Sequence, residues 1–451
     1  MTVVVRNKQY QRRRVTCVST LHAKSSRLQW EFTDISMPIE AQADGVALPD
    51  FAARRVARFY MERYQKTWGG TFIFKGRKPG KMDVLLQSND YLAIAGHPAM
   101  AEAIVSACRM SSGAPMMSSL FLQDSDPLHA MEGVLAKFLG YEEGVLTQSG
   151  FAANVGLLQS VIEPDTPVYI DMLAHASLWE GMRSAGAKGI HFPHNDFDRL
   201  HKLILRHGIG VILVDSVYST NGSTCDLGLC AAIAHDSGCM LIVDESHSLG
   251  THGAHGEGMV ASLGLQNRVH FVTASLAKAY ACRAGFIACP ASLNLYISMN
   301  SNPAIFSSSL MPLDVAAIQA AHRLITTEHW RRERLWRITR HIRSELDALG
   351  YPVRIGSEQI VAFEVGTEPE VMHMRDELER AGIFGSIFCP PATGKKRSLI
   401  RFSLNAGLSD SQVERFLDVC KAKRDEFSPT KWSANRYLSV GEDAVSNQHE
   451  A

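Results

Sequence analysis

The sequence predicts an α/β fold with a large, mostly parallel sheet and a smaller α+β region after it. Between residues 140 and 290, short apolar runs alternate with helical stretches. Each run is partly β-branched and apolar on both faces, which is typical of strands buried in a parallel sheet that is wrapped by helices. The runs cover residues 144–147, 167–170, 211–214, 240–243, 270–273 and 286–288.

The segments on either side of these runs predict further elements. Residues 50–67 place aromatic and aliphatic side chains near helical spacing, which indicates an amphipathic helix that needs a surface to lie against. A long helical stretch is expected at about 312–347, before an α+β region at 351–427. We expect five segments: a basic N-terminal extension (1–47), an N-terminal arm and helix (48–95), a large domain (96–315), a small C-terminal domain (316–428) and a polar, frayed tail (429–451).

The composition excludes several classes of protein. Of 451 residues, 46% are hydrophobic and 20% are charged, which rules out wholesale disorder. Lys and Arg number 46, as do Asp and Glu, so no nucleic-acid partner is expected. No apolar run approaches about 18 residues, so no membrane span is expected. Nine cysteines without a Cys-x-x-Cys pair indicate a reduced, cytoplasmic chain.

The first 30 residues are unusually basic. They carry seven Lys or Arg residues, and the first acid is Glu31. An organelle-targeting peptide has this composition. The stretch lacks a clean apolar face, however, so we favour a mobile basic arm or a start codon assigned too far upstream.

Polar side chains follow most of the predicted strands, at the point where each strand ends. In open α/β sheets, ligands bind beyond the carboxyl ends of the strands. Five consecutive strand ends carry polar or ionisable groups, which is more than loop composition explains, so we expect an active site at this edge. The groups are residues 148–150, Asp171, 215–216, 244–247 and 275–278.

Lys278 is the residue on which the predicted site is centred. It follows an apolar strand and lies among small residues, in Thr273-Ala-Ser-Leu-Ala-Lys278-Ala-Tyr. Partial desolvation would lower the pKa of its amine and make the amine a nucleophile for an aldehyde. For one lysine taken alone, a solvated position at a helix start is the more common explanation.

Asp244 and His247 favour the catalytic interpretation. Asp244 ends a strand about 34 residues before Lys278. A buried carboxylate needs a cationic partner, and a protonated pyridine nitrogen is one. His247 is placed to hydrogen-bond a ring hydroxyl. The alternative is an aspartate that caps a helix, followed by a core histidine.

Three further positions are candidates, each with a structural alternative. Ser149-Gly150-Phe151 opens a helix whose first amides favour a phosphate, although Ser-Gly before a helix is also ordinary capping. His175 follows the next strand, and either binds a planar ring or is structural. Arg401 lies in an alternating strand, where a guanidinium suits bidentate capture of a carboxylate or pairs with a neighbouring acid.

Several segments occur in the order found in one family. They are Gln87-Ser-Asn-Asp-Tyr-Leu92, Ser149-Gly-Phe-Ala-Ala-Asn154, His175-Ala-Ser177, Asp244-Glu-Ser-His247, Ser275-Leu-Ala-Lys278 and Phe306-Ser-Ser-Ser309. With them, residues 48–425 resemble the α-oxoamine synthases, which are pyridoxal-phosphate enzymes of the aspartate-aminotransferase fold (fold type I). Tyr169–Gly181 and Asp244–Gly253 are similar in particular to the CqsA-type quorum-sensing autoinducer synthases.

The resemblance implies a role for each candidate around the cofactor. Lys278 would bind pyridoxal phosphate covalently and, once freed, remove the α-proton of the substrate. Asp244 would pair with the pyridine nitrogen, and His175 would stack on the ring and donate a proton during acylation. His247 and Ser219 would contact the ring hydroxyl.

The resemblance also implies the phosphate and substrate contacts. The phosphate would be bound in the large domain by Ser149, Gly150, Phe151 and Ser275, with Ser307 or Ser308 contributed across a homodimer interface. Asn89 and Arg401 would bind the amino-acid carboxylate. The implied reaction joins a medium- or long-chain acyl-CoA to 2-aminobutyrate or S-adenosylmethionine, and yields an α-aminoketone signal precursor.

The chain departs from other members of the family at three places. Ser246 stands where many have alanine, Ser216 where several have glutamate, and Cys282-Arg283-Ala284 where a Gly-Gly pair is common. These differences fit the autoinducer branch. The alternatives within the family are aminolevulinate, aminooxononanoate, aminoketobutyrate and sphingoid-base synthesis.

Three other functions compete with this one. The Ser275-x-x-Lys278 spacing fits a serine acyl-enzyme, but the Ser-Asp-Asn and Lys-Thr-Gly partners are missing. A zinc or iron site would use Asp244, His247, His252 and His255. The glycines in that stretch favour a flexible loop, so we expect no metal. A non-catalytic scaffold is the third, against which the intact lysine, aspartate and histidine set argues.

Overall fold

The computed structural model describes residues 48–110 and 116–434. The predictions for the basic extension (1–47) and for residues 435–451 therefore lie outside the described residues. A first unit ends at Ala57 and holds most of helix α1 (Asp50–Arg58), and a second unit begins at Arg58. In the second unit Phe59–Thr67 is π-helical, so the helix predicted over residues 50–67 changes its winding partway.

A seven-stranded sheet lies at the centre of the second unit. Its strands are β2 (Glu143–Thr147), β3 (Val168–Asp171), β4 (Gly189–Phe192), β5 (Val211–Asp215), β6 (Met240–Asp244), β7 (Phe271–Ser275) and β8 (Gly285–Cys289). They are ordered β2-β8-β7-β6-β5-β3-β4, and every neighbouring pair is parallel except the two that β8 forms. The predicted α/β fold with a mostly parallel sheet is confirmed. The apolar runs did not predict β4, in which only the last residue, Phe192, is buried.

Alternate residues of the central strands enter different apolar clusters. In β5, Val211 and Leu213 lie in one cluster, whereas Ile212 and Val214 lie in the other. Both faces of the sheet are therefore buried, which is why its strands are apolar at every position rather than alternating.

Helices connect the strands and pack against them. No helix of the described ranges is long and apolar enough to cross a membrane. Those up to residue 305 are α2 (Pro98–Met110), α3 (Pro127–Leu139), α4 (Gly150–Val161), α5 (Ala176–Ser184), α6 (Phe197–His207), α7 (Leu227–Ser237), α8 (Met259–Ser262), α9 (Asn294–Asn300) and α10 (Asn302–Ile305). The helical stretch predicted at 312–347 is two helices, α11 (Pro312–Thr327) and α12 (Trp330–Ala348). Arg332 donates to the carbonyl of Ile325 near the end of α11, which satisfies one of the carbonyls that the break leaves open.

The C-terminal region is α+β, as predicted. Its sheet has the antiparallel order β11-β12-β9, from strands β9 (Ile360–Gly366), β11 (Ser386–Phe388) and β12 (Ser398–Ser403). The helices are α13 (Glu368–Arg380) and α14 (Asp410–Phe427). A short parallel pair joins β1 (Val84–Leu85) to β10 (Ile383–Phe384), so part of the expected N-terminal arm pairs with this region.

The expected polar tail from residue 429 is wrong for its first six residues. Trp432 is buried, and its ring lies 5.1 Å from that of Phe363 and 5.5 Å from that of Tyr351. Its indole N–H also donates to the carbonyl of Phe427 at 2.9 Å. The large apolar area of one tryptophan holds residues 429–434 against the C-terminal region, despite their polar neighbours.

We predict that Gly285→Ala destabilises the protein by about 1–3 kcal/mol. A Cβ at this position would lie 2.2 Å from the carbonyl oxygen of Ser149 and 2.6 Å from the nitrogen of Gly150, so the start of α4 would have to move. Urea unfolding measures the change. Gly133→Ala, where nothing lies within 4 Å of the added carbon, is the matched control and should stabilise α3 by about 0.5–1 kcal/mol. Equal stability of the Gly285 variant and the parent would contradict the prediction.

Candidate active site

Three neighbouring parallel strands bring predicted residues to one edge of the large sheet. Strands β5, β6 and β7 end at Asp215, Asp244 and Ser275. Lys278 follows three residues later, in a loop closed by a hydrogen bond from the Cys282 N–H to the Leu276 carbonyl at 2.9 Å. Sheet register and this loop together hold Lys278 close enough to Asp244 for their charges to interact.

The carboxylate of Asp244 is buried and held by two donors. The side-chain amide of Asn154 donates to Oδ2 at 2.6 Å, and the Ser246 N–H donates to Oδ1 at 2.8 Å. Asn154 is itself oriented by Thr273, whose hydroxyl donates to its carbonyl oxygen at 2.6 Å. Asp244 forms no ion pair with any cationic side chain of residues 48–110 or 116–434. The carboxylate of Asp244 could therefore pair with a cation supplied by a ligand.

The surroundings of Lys278 favour the neutral form of its amine. Burial lowers its pKa to about 8, and the positive charge of Arg401 acts in the same direction, while Asp244 opposes the change. An amine with this pKa is partly unprotonated near neutral pH and can attack a carbonyl carbon.

Two histidines of the site are neutral. Burial lowers the pKa of His175, which caps α5 and accepts the Ser177 N–H at Nδ1. Burial lowers the pKa of His247 well below its ordinary value, helped by nearby positive charges. Its Nδ1 lies 2.7 Å from the hydroxyl of Tyr91. Both rings can therefore donate or accept a hydrogen bond without carrying charge.

Arg401 is a buried cation in which one nitrogen has no hydrogen-bond partner among the described residues. Its guanidinium donates to the carbonyl of Ser219 at 2.7 Å and to Oδ1 of Asn89 at 2.8 Å, and it lies over the ring of Phe388. Its Nε has no hydrogen-bond partner among the described residues. A buried, unsatisfied N–H beside two fixed ones suits an incoming carboxylate.

A candidate phosphate cradle lies at the start of α4. Ser149 caps the helix by accepting the Ala152 N–H at 3.1 Å. A Cβ on Gly150 would lie 2.5 Å from the Cβ of Ser275, so only glycine lets the helix begin against the end of β7. The Ser275 N–H donates to Oγ of Ser246 at 2.8 Å. The cradle combines helix amides with a serine side chain.

The remaining predicted contacts lie near this cradle. Phe151 is about half exposed. Ser307 donates to the carbonyl of Pro303, and the carbonyl of Ser308 accepts from the side chain of Gln148 at 2.8 Å. The second of these bonds places residues 307–308 beside the end of β2.

These groups fit pyridoxal phosphate. The helix start suits its phosphate, the unpaired carboxylate of Asp244 suits its ring nitrogen, and the low-pKa amine of Lys278 suits its aldehyde. The residues that orient these groups, among them Asn154, Ser246 and Tyr91, were not predicted as site residues. An amide within an apolar helix, such as Asn154, could have indicated a buried hydrogen-bonding role. The residues around Tyr91 and Ser246 give no such indication.

The residues of the alternative metal site are not brought together. His252 pairs with Glu358 at 2.7 Å, while His247 contacts Tyr91. Within the described ranges, the only three-residue group with ligand atoms close together is on the surface of α13 and α14, far in sequence from these loops. It consists of His373, Glu377 and Glu426. The aspartate and three histidines proposed as ligands therefore form no common site.

Comparison with known proteins agrees with this geometry. The family model for aminotransferase class I and II matches residues 81–419. The chain is 41% identical to the CAI-1 autoinducer synthase of Vibrio campbellii, over 83% of this chain and 95% of the relative. It is 34% identical to the putative 8-amino-7-oxononanoate synthase 2 of Mycobacterium tuberculosis, over 77% of this chain and 45% of that longer protein. A solved serine palmitoyltransferase from S. paucimobilis, with bound PLP and myriocin, has a TM-score of 0.75 at 24% identity, covering 84% and 98% of the two chains, and so shares the fold.

We predict that Ser246→Ala weakens pyridoxal-phosphate binding roughly fivefold. The substitution removes the acceptor of the Ser275 N–H and loosens the cradle, which equilibrium dialysis of the cofactor would measure. Ser248→Ala is the matched control, since Ser248 is buried in the same loop and contacts Ser216 rather than Ser275. Equal weakening in the two variants would show that Ser246 does not shape the cradle.

Proposed function

The chain belongs to the aminotransferase class I and II family, and from this premise we propose that it condenses an acyl-CoA with a small α-amino acid to form an α-aminoketone, with release of coenzyme A and loss of the amino acid's carboxylate as CO2. It is a pyridoxal-phosphate-dependent acyltransferase of the α-oxoamine synthase type. Its product is a precursor of a quorum-sensing autoinducer, as the similarity to an autoinducer synthase supports. The observation that carries the proposal is the low-pKa amine of Lys278 near the buried carboxylate of Asp244, which forms no ion pair within the described residues.

Asp244 and Lys278 would contact different parts of the cofactor. When bound, pyridoxal phosphate supplies an electron sink for the charge left by loss of the α-proton. Asp244 would hold a proton on the ring nitrogen, because its buried carboxylate forms no ion pair with a cationic side chain of the described residues. Nζ of Lys278 would bond to the aldehyde and, after release, accept the α-proton of the amino acid.

Arg401, Asn89 and His175 would handle the substrates. The free Nε of Arg401 would bind the amino-acid carboxylate, with Asn89 holding the guanidinium in place. Nδ1 of His175 accepts the Ser177 N–H at 3.3 Å and lies 2.7 Å from the hydroxyl of Ser177, so its proton would lie on Nε2. That proton would be donated to the thioester oxygen as the acyl carbon is attacked, and would leave with the sulfur of coenzyme A when the C–S bond breaks and the carbonyl re-forms.

The finer parts of the proposal concern substrates, assembly and location. The acyl group is of medium or long chain, and the amino donor is 2-aminobutyrate or S-adenosylmethionine. The enzyme is a homodimer in which Ser307 or Ser308 reaches the phosphate bound by the partner. It acts in the cytoplasm, which is supported by the eight described cysteines, all free. Residues 96–315 form the cofactor domain, and residues 316–428 form the small domain.

Product identification tests this function. Purified protein incubated with decanoyl-CoA and either amino donor should release coenzyme A and give the matching aminoketone by mass spectrometry. Glycine, alanine and serine test the other α-oxoamine synthases, and Lys278→Ala is the inactive control. Coenzyme A released without an aminoketone from any donor would refute the proposal.

The pH dependence of cofactor attachment tests the state of Lys278. Only the neutral amine attacks the aldehyde, so the rate should rise with pH and reach half its maximum near pH 8. Stopped-flow absorbance of cofactor-free protein mixed with pyridoxal phosphate measures this rate. A midpoint near 10.5, the ordinary lysine value, would contradict the desolvation argument.

A further inference from the structure

Tyr91 lies between His247 and the proposed carboxylate site, with its hydroxyl close to both. The hydroxyl of Tyr91 lies 2.7 Å from Nδ1 of His247 and 3.4 Å from Oδ1 of Asn89. Asn89 in turn accepts a hydrogen bond from Arg401 at 2.8 Å. Tyr91 is fully buried. Its hydroxyl must therefore find its partners inside the protein.

The acceptor atoms around this hydroxyl decide where its proton lies. Oδ1 of Asn89 has two lone pairs. It accepts hydrogen bonds from Arg401 at 2.8 Å and from the hydroxyl of Ser403 at 3.3 Å. The contact from Tyr91 to Asn89 is the longest of the three. The contact to His247 is short, so the single proton of Tyr91 is directed to Nδ1 of His247.

Charge neutrality supports the same assignment. Burial raises the pKa of Tyr91 to about 12 and lowers the pKa of His247 well below its ordinary value. A neutral phenol keeps its proton, and a neutral imidazole carries one proton on only one nitrogen. If Nδ1 accepts from Tyr91, the imidazole proton is on Nε2.

We propose that Tyr91 is a positioning residue that fixes His247 in the tautomer protonated on Nε2, so that the ring offers a donor to the hydroxyl oxygen of the cofactor. This proposal rests on the pyridoxal-phosphate part of the proposed function, and is independent of the acyl and amino donors. The backbone of His247 is also fixed, because its carbonyl accepts from the side chains of Gln359 at 2.8 Å and Thr251 at 3.2 Å. A donor at Nε2 favours the ionised form of that oxygen.

The tautomer is measured directly by NMR of ¹⁵N-histidine-labelled holoenzyme, with His247 resonances identified by their loss in His247→Gln. We expect an unprotonated Nδ1 in the unmodified protein and a substantial Nδ1-protonated fraction in Tyr91→Phe. Tyr351→Phe is the matched control, because Tyr351 is equally buried and donates to the carbonyl of Cys420 at 2.7 Å, outside the candidate site. A protonated Nδ1 in the unmodified holoenzyme overturns the proposal, even if Tyr91→Phe fails to fold.

A double-mutant cycle separates positioning from general packing. His247→Gln carries an amide donor in place of Nε2 and has no tautomer to choose. Tyr91→Phe should speed cofactor release roughly fivefold in the parent and leave it unchanged in the His247→Gln background. Equal effects in both backgrounds would make Tyr91 merely structural and overturn the proposal. A failed substrate screen with an intact cycle would refute only the proposed substrates.

Discussion

The buried carboxylate of Asp244 is the charge around which the site is arranged. It is held by Asn154 and Ser246, and no cationic side chain of the described residues forms an ion pair with it. A buried carboxylate without an ion pair costs several kcal/mol, which a ligand of opposite charge would offset. On the proposed function, the protonated ring of pyridoxal phosphate would be that ligand. The stability of this region would then depend on the bound cofactor.

Desolvation sets the chemistry of the groups around that charge. The burial that Asp244 shares with its neighbours lowers the pKa of Lys278 to about 8 and keeps His175 and His247 neutral. Arg401 adds a positive charge that further disfavours protonation of the lysine. One environment thus yields a nucleophilic amine, neutral proton donors and an unsatisfied guanidinium, which is what acyl transfer to an amino acid requires.

The site joins parts of the chain that are far apart in sequence. Arg401 comes from the C-terminal sheet, Asn89 from the segment after β1, and Ser219 from the loop after β5. The pairing of β1 with β10 also joins the segment before Asn89 to the C-terminal region. The position of the Arg401 guanidinium relative to Lys278 is therefore set by how the C-terminal sheet packs.

The sequence by itself determined the parallel sheet and the residues that bear the chemistry. Strands apolar at every position predict burial on both faces, and polar groups at successive strand ends predict a shared edge, so both follow from local pattern. Residues 144–147 and 240–243 were found in this way, whereas the half-buried β4 was not. The burial of Trp432 was likewise not predicted, because its neighbours in the sequence are polar.

Only the tertiary structure decided how the chemical groups are oriented. Tyr91 meets His247 across 156 residues, and Arg401 meets Asn89 across 312. Such pairs leave no local periodicity, because their contacts depend on how separate elements pack rather than on spacing along the chain. The unpartnered Nε of Arg401 and the short contact between the Tyr91 hydroxyl and the His247 Nδ1 follow from that packing.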